Sequence, residues 1–268
     1  MKFHFLTGLP RSGSTLLASI LSQNPRFHAS IQSPVGQVVT DALHGMGPRN
    51  EAGSFFHGDQ RERMLRGLVE GYYSDLEGEK AVVFDNNRRW TANISLMTRL
   101  YPDAFFLACV RDPRAIVDSF ERLFQAHPTD LSVIYGGVSN TTAYSRTSEL
   151  MKAGGVVSFA LESLKSAFYG ALRNRLLVIE YDNLARFPAA VLDDIYNVLG
   201  EEKFNHNFEN IEAIAGSAAF DAEISTPGLH DLKSAVLYEP RNSILPPDIL
   251  SALPLPFWRS NDPVTEGS

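Results

Sequence analysis

The sequence predicts an α/β fold in one domain, a P-loop-type parallel sheet flanked by helices on both faces, and three observations carry that prediction. Short apolar runs of strand length alternate with stretches of helical spacing. The run at residues 104–110 is apolar at every position, as strands covered on both faces are. The first run leads through a glycine-bounded loop straight into a helical pattern. A chain of 268 residues, 44% hydrophobic, is long enough to bury one substantial core.

Taken in order, residues 3–7 read as a strand, and after the loop Leu16, Leu17, Ile20 and Leu21 recur at helical spacing until Asn24-Pro25 stops them. Residues 30–58 read as a polar stretch with Gly and Pro, and an amphipathic helix resumes over 61–73 through Met64, Leu65, Leu68, Val69 and Tyr72. Residues 80–84 form a second strand that ends in Asp85; Ile94, Met97 and Leu100 mark a helix stopped by Tyr101-Pro102. The third strand, 104–110, ends at Arg111, where Asp112 can cap the next helix and Pro113 suits its first position, with Ile116, Val117, Phe120 and Leu123 on one face. Residues 125–158, rich in Ser, Thr, Gly and Tyr, show weak periodicity and read as an insertion over the site. Residues 176–179 give a fourth strand, and 188–199 a helix with Gly200 just past its end. The domain spans 1–259, and the polar residues 260–268 read as a flexible tail.

The formal net charge of -7 asks for neither a nucleic-acid backbone nor an anionic membrane as partner. Cys109 is the only cysteine, so no intramolecular disulfide can form, and neither it nor the scattered histidines have metal-ligand spacing. A lone cysteine makes a reducing cytoplasm the expected compartment, and no run is apolar and long enough for a membrane span or a signal-peptide core.

In a parallel sheet, ligands bind at the carboxyl ends of the strands. Three features gather there: the loop Gly8 to Thr15, the segment from Asp85 to Trp90, and the segment from Arg111 to Ser119. Gly8-Leu9-Pro10-Arg11-Ser12-Gly13-Ser14-Thr15 has P-loop spacing between a strand and a helix, so its backbone N–H groups can form a concave anion site. Ser14 stands where a nucleotide-hydrolysing P-loop has lysine, which leaves Arg11 as the loop's cation. Arg111 offers a planar fork of donors to a second anion; the alternative is a local ion pair with Asp112. Two anion sites at neighbouring strand ends suit a ligand with phosphates at two separated positions.

These segments resemble the sulfotransferases that use 3′-phosphoadenosine 5′-phosphosulfate (PAPS), in particular the branch similar to tyrosylprotein sulfotransferases. Gly8 to Leu16, with the following Asn24-Pro25, resembles that branch's 5′-phosphosulfate loop. Cys109 to Ser119 resembles the family's 3′-phosphate motif, and Val178 to Leu184 resembles a third segment whose tyrosine lies near the nucleotide. The resemblance implies transfer of a sulfuryl group from PAPS to a hydroxyl acceptor, with 3′,5′-adenosine bisphosphate as the product and no metal required. It implies that Pro10, Arg11, Ser12, Gly13, Ser14, Thr15, Arg111, Ser119 and Tyr181 hold the donor. A late segment from Leu229 to Pro247 is similar to a loop that closes over the nucleotide, which makes Lys233 a further contact or else a surface charge.

For the chemistry the candidates are Arg11 on the leaving group, Asp85 as general base, and Arg88 and Arg89, which could contact the sulfuryl oxygens or simply be solvated. Asp85 could instead pair with Arg88 or cap a turn, and Trp90 and Tyr181 could stack on the adenine or belong to the core. The tyrosylprotein branch places its base, a glutamate, shortly after the first helix; Ile31-Gln32-Ser33-Pro34 has no carboxylate there, and Asn86 stands near the position of that branch's lysine. The competing readings are a P-loop kinase or NTPase, in which Asp85 would hold Mg²⁺, and a non-catalytic nucleotide-binding protein.

Overall fold

A computed structural model describes residues 1–76, 80–130, 132–135 and 142–259. The expected tail, 260–268, lies outside the described residues, as do parts of the segment read as an insertion. Along the chain run β1 (Lys2–Gly8), α1 (Ser14–Ser22), β2 (Phe27–Ala29), α2 (Val35–Gly45), α3 (Gly58–Tyr72), β3 (Val82–Asn86), α4 (Ile94–Leu100), β4 (Phe106–Val110), α5 (Pro113–Ala126), α6 (Ala143–Met151), α7 (Val156–Tyr169), β5 (Leu176–Glu180), α8 (Tyr181–Arg186), α9 (Pro188–Leu199), α10 (Ser217–Glu223) and α11 (Pro247–Ala252).

Five strands form one parallel sheet in the order β2-β3-β1-β4-β5. The strand register sets Phe5 beside Asp85 on one side and beside Phe106 on the other, so β1 is central. The loops after β1, β3 and β4 therefore leave the same end of the sheet from three adjacent strands. Alternation divides the core in two. Phe3, Phe5, Val83, Phe106 and Ala108 face α2 to α7, whereas Leu6, Val82, Phe84, Leu107 and Cys109 face α1, α8 and α9. Each face buries its apolar residues against helices, as the unbroken apolar strands require.

Asp112 caps α5 by accepting from the Arg114 N–H at 2.9 Å, and Pro113 opens the helix. Gly200 ends α9 in the left-handed region at φ 65°. Three elements depart from the sequence reading. β2 spans only Phe27-His28-Ala29, too short to show a period, so the sheet has five strands rather than four. α2 lies inside the stretch read as irregular; its buried positions are Val35, Gly36 and Val39, which leaves a narrow apolar stripe. The segment 125–158 carries regular structure: α5 persists to Ala126, and α6 and the start of α7 follow. Its periodicity is hidden because α6 is seated by charge. Arg146 is buried against Glu121 of α5 with a bidentate pair at 2.6 and 2.8 Å, and its guanidinium lies 3.7 Å from the centre of the Phe124 ring.

Candidate active site

The phosphate-type loop is built by close approach of two strands' ends. Gly8 has φ 111°, and a Cβ there would fall 2.1 Å from the carbonyl oxygen of Cys109. That carbonyl accepts both the Leu9 N–H at 2.8 Å and the Ser12 hydroxyl at 2.8 Å, so the loop is seated on the end of β4. Ser12 also donates to the Leu9 carbonyl, which closes the loop on itself. Arg11 is held in the left-handed region at φ 55°, at a cost of about 1 kcal/mol for a residue with a Cβ. Gly13, at φ 89°, precedes α1 and offers no side-chain cap, so the N–H groups of the first turn have no partner within the helix.

This loop and the segment after β4 meet directly. The Arg11 Nε donates to the Ser119 hydroxyl at 3.0 Å, and the Arg111 Nη1 reaches the Arg11 carbonyl at 3.4 Å. Arg111 is not spent on Asp112, which pairs with Arg114 instead. Its Nε is buried without a partner, and its guanidinium sits 4.4 Å above the Tyr181 ring. Tyr181 in turn packs against the loop, since a Cβ on Gly13 would come 2.8 Å from its ring. Burial, and then the neighbouring Arg111, pull the Arg11 guanidinium below its usual range. Two arginines and an orphaned donor in one recess are what a multiply charged anion would neutralise.

The recess opens into a cleft of about 270 Å³ lined by residues of all three strand-end segments and by the late segment from Leu229 to Arg241. The Arg11 guanidinium donates to the Leu229 carbonyl, which closes the late segment onto the loop. Lys233 lies at the rim, half-exposed, and pairs with Glu239. The late segment is fastened at its far end to α5. Asp118 accepts from the Ser243 hydroxyl at 2.9 Å and the Ile244 N–H at 2.7 Å, while Arg122 donates to the Asn242 carbonyl at 2.6 Å. Ile134 and Val156 bring the segment read as an insertion to the cleft wall.

The side of the cleft after β3 is different. Asp85 is fully buried and does not line the cleft. Its carboxylate accepts from the Ser33 hydroxyl at 2.7 Å, the Tyr73 hydroxyl at 2.6 Å and the Trp90 Nε1 at 2.6 Å. Burial pushes its pKa up, against the three donors that pull it down. Asp85 thus ties the start of α2, the end of α3 and the turn at Arg88–Trp90 together, and the alternative pairing with Arg88 is absent. Trp90 is a fully buried core residue with no face toward an adenine. Arg88, by contrast, lines the cleft, and among the described residues its guanidinium makes no ion pair or hydrogen bond. Burial, with Arg89 beside it, pulls its pKa down. The sequence reading missed Asn87, which also lines the cleft; its side chain donates to the Ser33 carbonyl at 2.9 Å and accepts from the Arg89 N–H at 3.0 Å.

The chain matches the model of the sulfotransferase family over residues 4–206, and it belongs to that family. It is 24% identical over 230 residues to the nodulation protein NoeE of Sinorhizobium fredii (strain NBRC 101917 / NGR234), an alignment that covers 78% of this chain and 52% of that protein. The chain therefore spans about half the length of the curated relative it matches. Its fold is that of the sulfotransferase domain from the curacin biosynthetic pathway, with a TM-score of 0.56 at 13% identity over 96% of this chain and 92% of that one. These similarities are to the family as a whole and do not single out the tyrosylprotein branch. Among the described residues, no helix is long and apolar enough to cross a membrane.

Proposed function

We propose that this sulfotransferase takes its sulfuryl group from PAPS and passes it to a hydroxyl of an acceptor held on the Arg88 side of the cleft. The observation that carries the proposal is the junction of the two anion-binding segments, Arg11 Nε on Ser119 at 3.0 Å with Arg111 against the Arg11 carbonyl. A ligand that fills both segments at once carries one phosphate at this junction and a second anionic group at the amides of the loop.

The orphaned Arg111 Nε and the unpaired N–H groups opening α1 fit such a ligand. Arg111, Ser119 and Arg11 would hold its 3′-phosphate, and the loop from Pro10 to Thr15 its 5′ end. Arg11 was expected at the leaving group; its contact with Ser119 favours the 3′ end instead. Tyr181 would orient Arg111 from below, and Lys233 would reach the ligand from the rim on release from Glu239.

The donor, when bound, supplies a sulfuryl group attached to a good leaving group. The protein's part is positioning and charge stabilisation. The loop amides stabilise negative charge that grows on the 5′ side, and Arg88 supplies a cation to the oxygens in transfer without first breaking an ion pair. Asp85, with no face to the cleft and all donors directed at it, acts as a positioning residue for that wall rather than as general base. The same saturation argues against its serving as an Mg²⁺ ligand in a kinase.

Calorimetric titration tests the reading. The expected outcome is tight binding of 3′,5′-adenosine bisphosphate without metal and weak binding of ATP with Mg²⁺. The reverse preference would transfer the case to a P-loop kinase.

A further inference from the structure

We propose that His230, held by Asp221, is a third cation at the nucleotide end of the cleft, whose imidazole takes up a proton when it binds a phosphate oxygen. The inference rests on the reading of the cleft just given.

His230 lines the cleft, and its Nδ1 lies 2.5 Å from an Asp221 oxygen, while its own backbone N–H donates to the other oxygen at 2.8 Å. The Asp221 side chain is only 3% exposed. The Phe220 ring edge closes a third side, at 5.5 Å between ring centres. The imidazole is thus fixed at one nitrogen, and among the described residues Nε2 makes no hydrogen bond. An Asp and a His nine residues apart, separated by the turn after α10, have no sequence spacing that marks them.

The position of the pair decides its role. Leu229, the preceding residue, accepts from Arg11 through its carbonyl, and both Asp221 and Asp231 act electrostatically on Arg11. His230 therefore belongs with Arg11, Ser119 and Arg111, on the β4 side of the central strand. Arg88 and the acceptor wall follow β3, on the other side of β1. A general base must touch the acceptor hydroxyl, so the pair is placed for the nucleotide instead.

The chemistry follows from the tautomer. With Asp221 taking the Nδ1–H, a neutral ring presents only a lone pair at Nε2, which would face the lone pairs of a phosphate oxygen. A bound phosphate needs Nε2–H, hence an imidazolium between two anions, one from the protein and one from the ligand. The other charged groups facing this end are Arg11, Arg111, Asp231 and Glu239 with its two partners, Lys233 and Arg241.

The test is calorimetry with 3′,5′-adenosine bisphosphate at about pH 6 and about pH 8, in two buffers of different ionisation enthalpy, which spans the range where imidazoles titrate. Wild-type protein is expected to take up a proton on binding at the higher pH. His230→Gln keeps a donor but not the charge; it should lose that uptake and bind about tenfold more weakly at the lower pH, the scale of one charge-assisted hydrogen bond. Asp221→Asn should weaken binding in the same direction. The phosphate's own protonation is common to all three proteins and drops out of the differences. Equal affinity and equal proton uptake in wild type and His230→Gln would overturn the proposal. So would normal nucleotide binding by His230→Gln with loss of sulfuryl transfer, which would make the histidine a base. Failure of wild-type protein to bind the nucleotide at all would instead sink the reading of the cleft.

Discussion

The two sides of the central strand solve opposite problems. After β4, Arg111 is held over an aromatic ring with a donor unspent, and Arg11 reaches across to Ser119. After β3, the carboxylate of Asp85 is saturated by donors from three segments, and Arg88 is the side chain of this side that lines the cleft as a cation. One side leaves a buried donor of Arg111 without a partner; the other gives a buried carboxylate three donors and so holds a wall in place. Burial alone does not separate these roles. The count of partners does.

The comparison can be broken first at the loop that both sides share. Gly8→Ala would drive a Cβ into the Cys109 carbonyl at a backbone angle that disfavours it, so chemical denaturation should show a loss of at least about 3 kcal/mol, or no folded protein. Asp85→Ala should cost about 3 kcal/mol, because it orphans three buried donors, while the remaining folded protein should still bind 3′,5′-adenosine bisphosphate with unchanged affinity. A large affinity loss there would put Asp85 in contact with ligand and erase the distinction between the two sides.

Arg111→Gln should do the reverse. Nucleotide affinity falls by about a hundredfold, roughly 2.7 kcal/mol, with little change in the denaturation midpoint, because Arg111 makes no buried ion pair. Arg111→Lys should recover only part of this, since a point charge cannot replace the planar fork.

The smallest effect serves as a control at the far end of β1. His4 is buried, its Nδ1 accepts from the Phe105 N–H at 3.1 Å, and desolvation lowers its pKa to about 4. An unfolded imidazole binds its proton at about 6.5, so between these values the unfolded chain holds more protons and stability falls as pH falls. Denaturation at about pH 7 and about pH 5 should show stability lower by about 2 kcal/mol at the lower pH, and His4→Asn should remove that part of the pH dependence. Nucleotide affinity of the variant should match that of wild type at either pH.

How much of this was legible in the sequence differs between the same two sides. Glycine spacing in the loop and an arginine at a strand end are local signals, and Gly8, Gly13 and Arg111 could be read because close backbone approach and planar donors leave few residue choices. The roles after β3 depend on which distant residues arrive. Ser33 and Tyr73 come to Asp85 from 52 and 12 residues away, and nothing in the local sequence says that they will. Trp90, next to a strand end, could equally have faced a ligand until its indole N–H found Asp85. The fold was read from period, and it went unread where the period was hidden, in the three residues of β2 and in α6, whose inward face carries the charged Arg146. His230 was invisible for the same reason as Asp85: its meaning is set by Asp221, and that pairing exists only in three dimensions.

Asp118 precedes Ser119 on α5 and grips the backbone at Ile244. Trimming the protein from its carboxyl end should therefore be felt more than a hundred positions upstream once the cut passes that residue. Helix, serine and the strap crossing the cleft would loosen together, and a truncated enzyme would register the damage as poor retention of its donor before any change in what it sulfates.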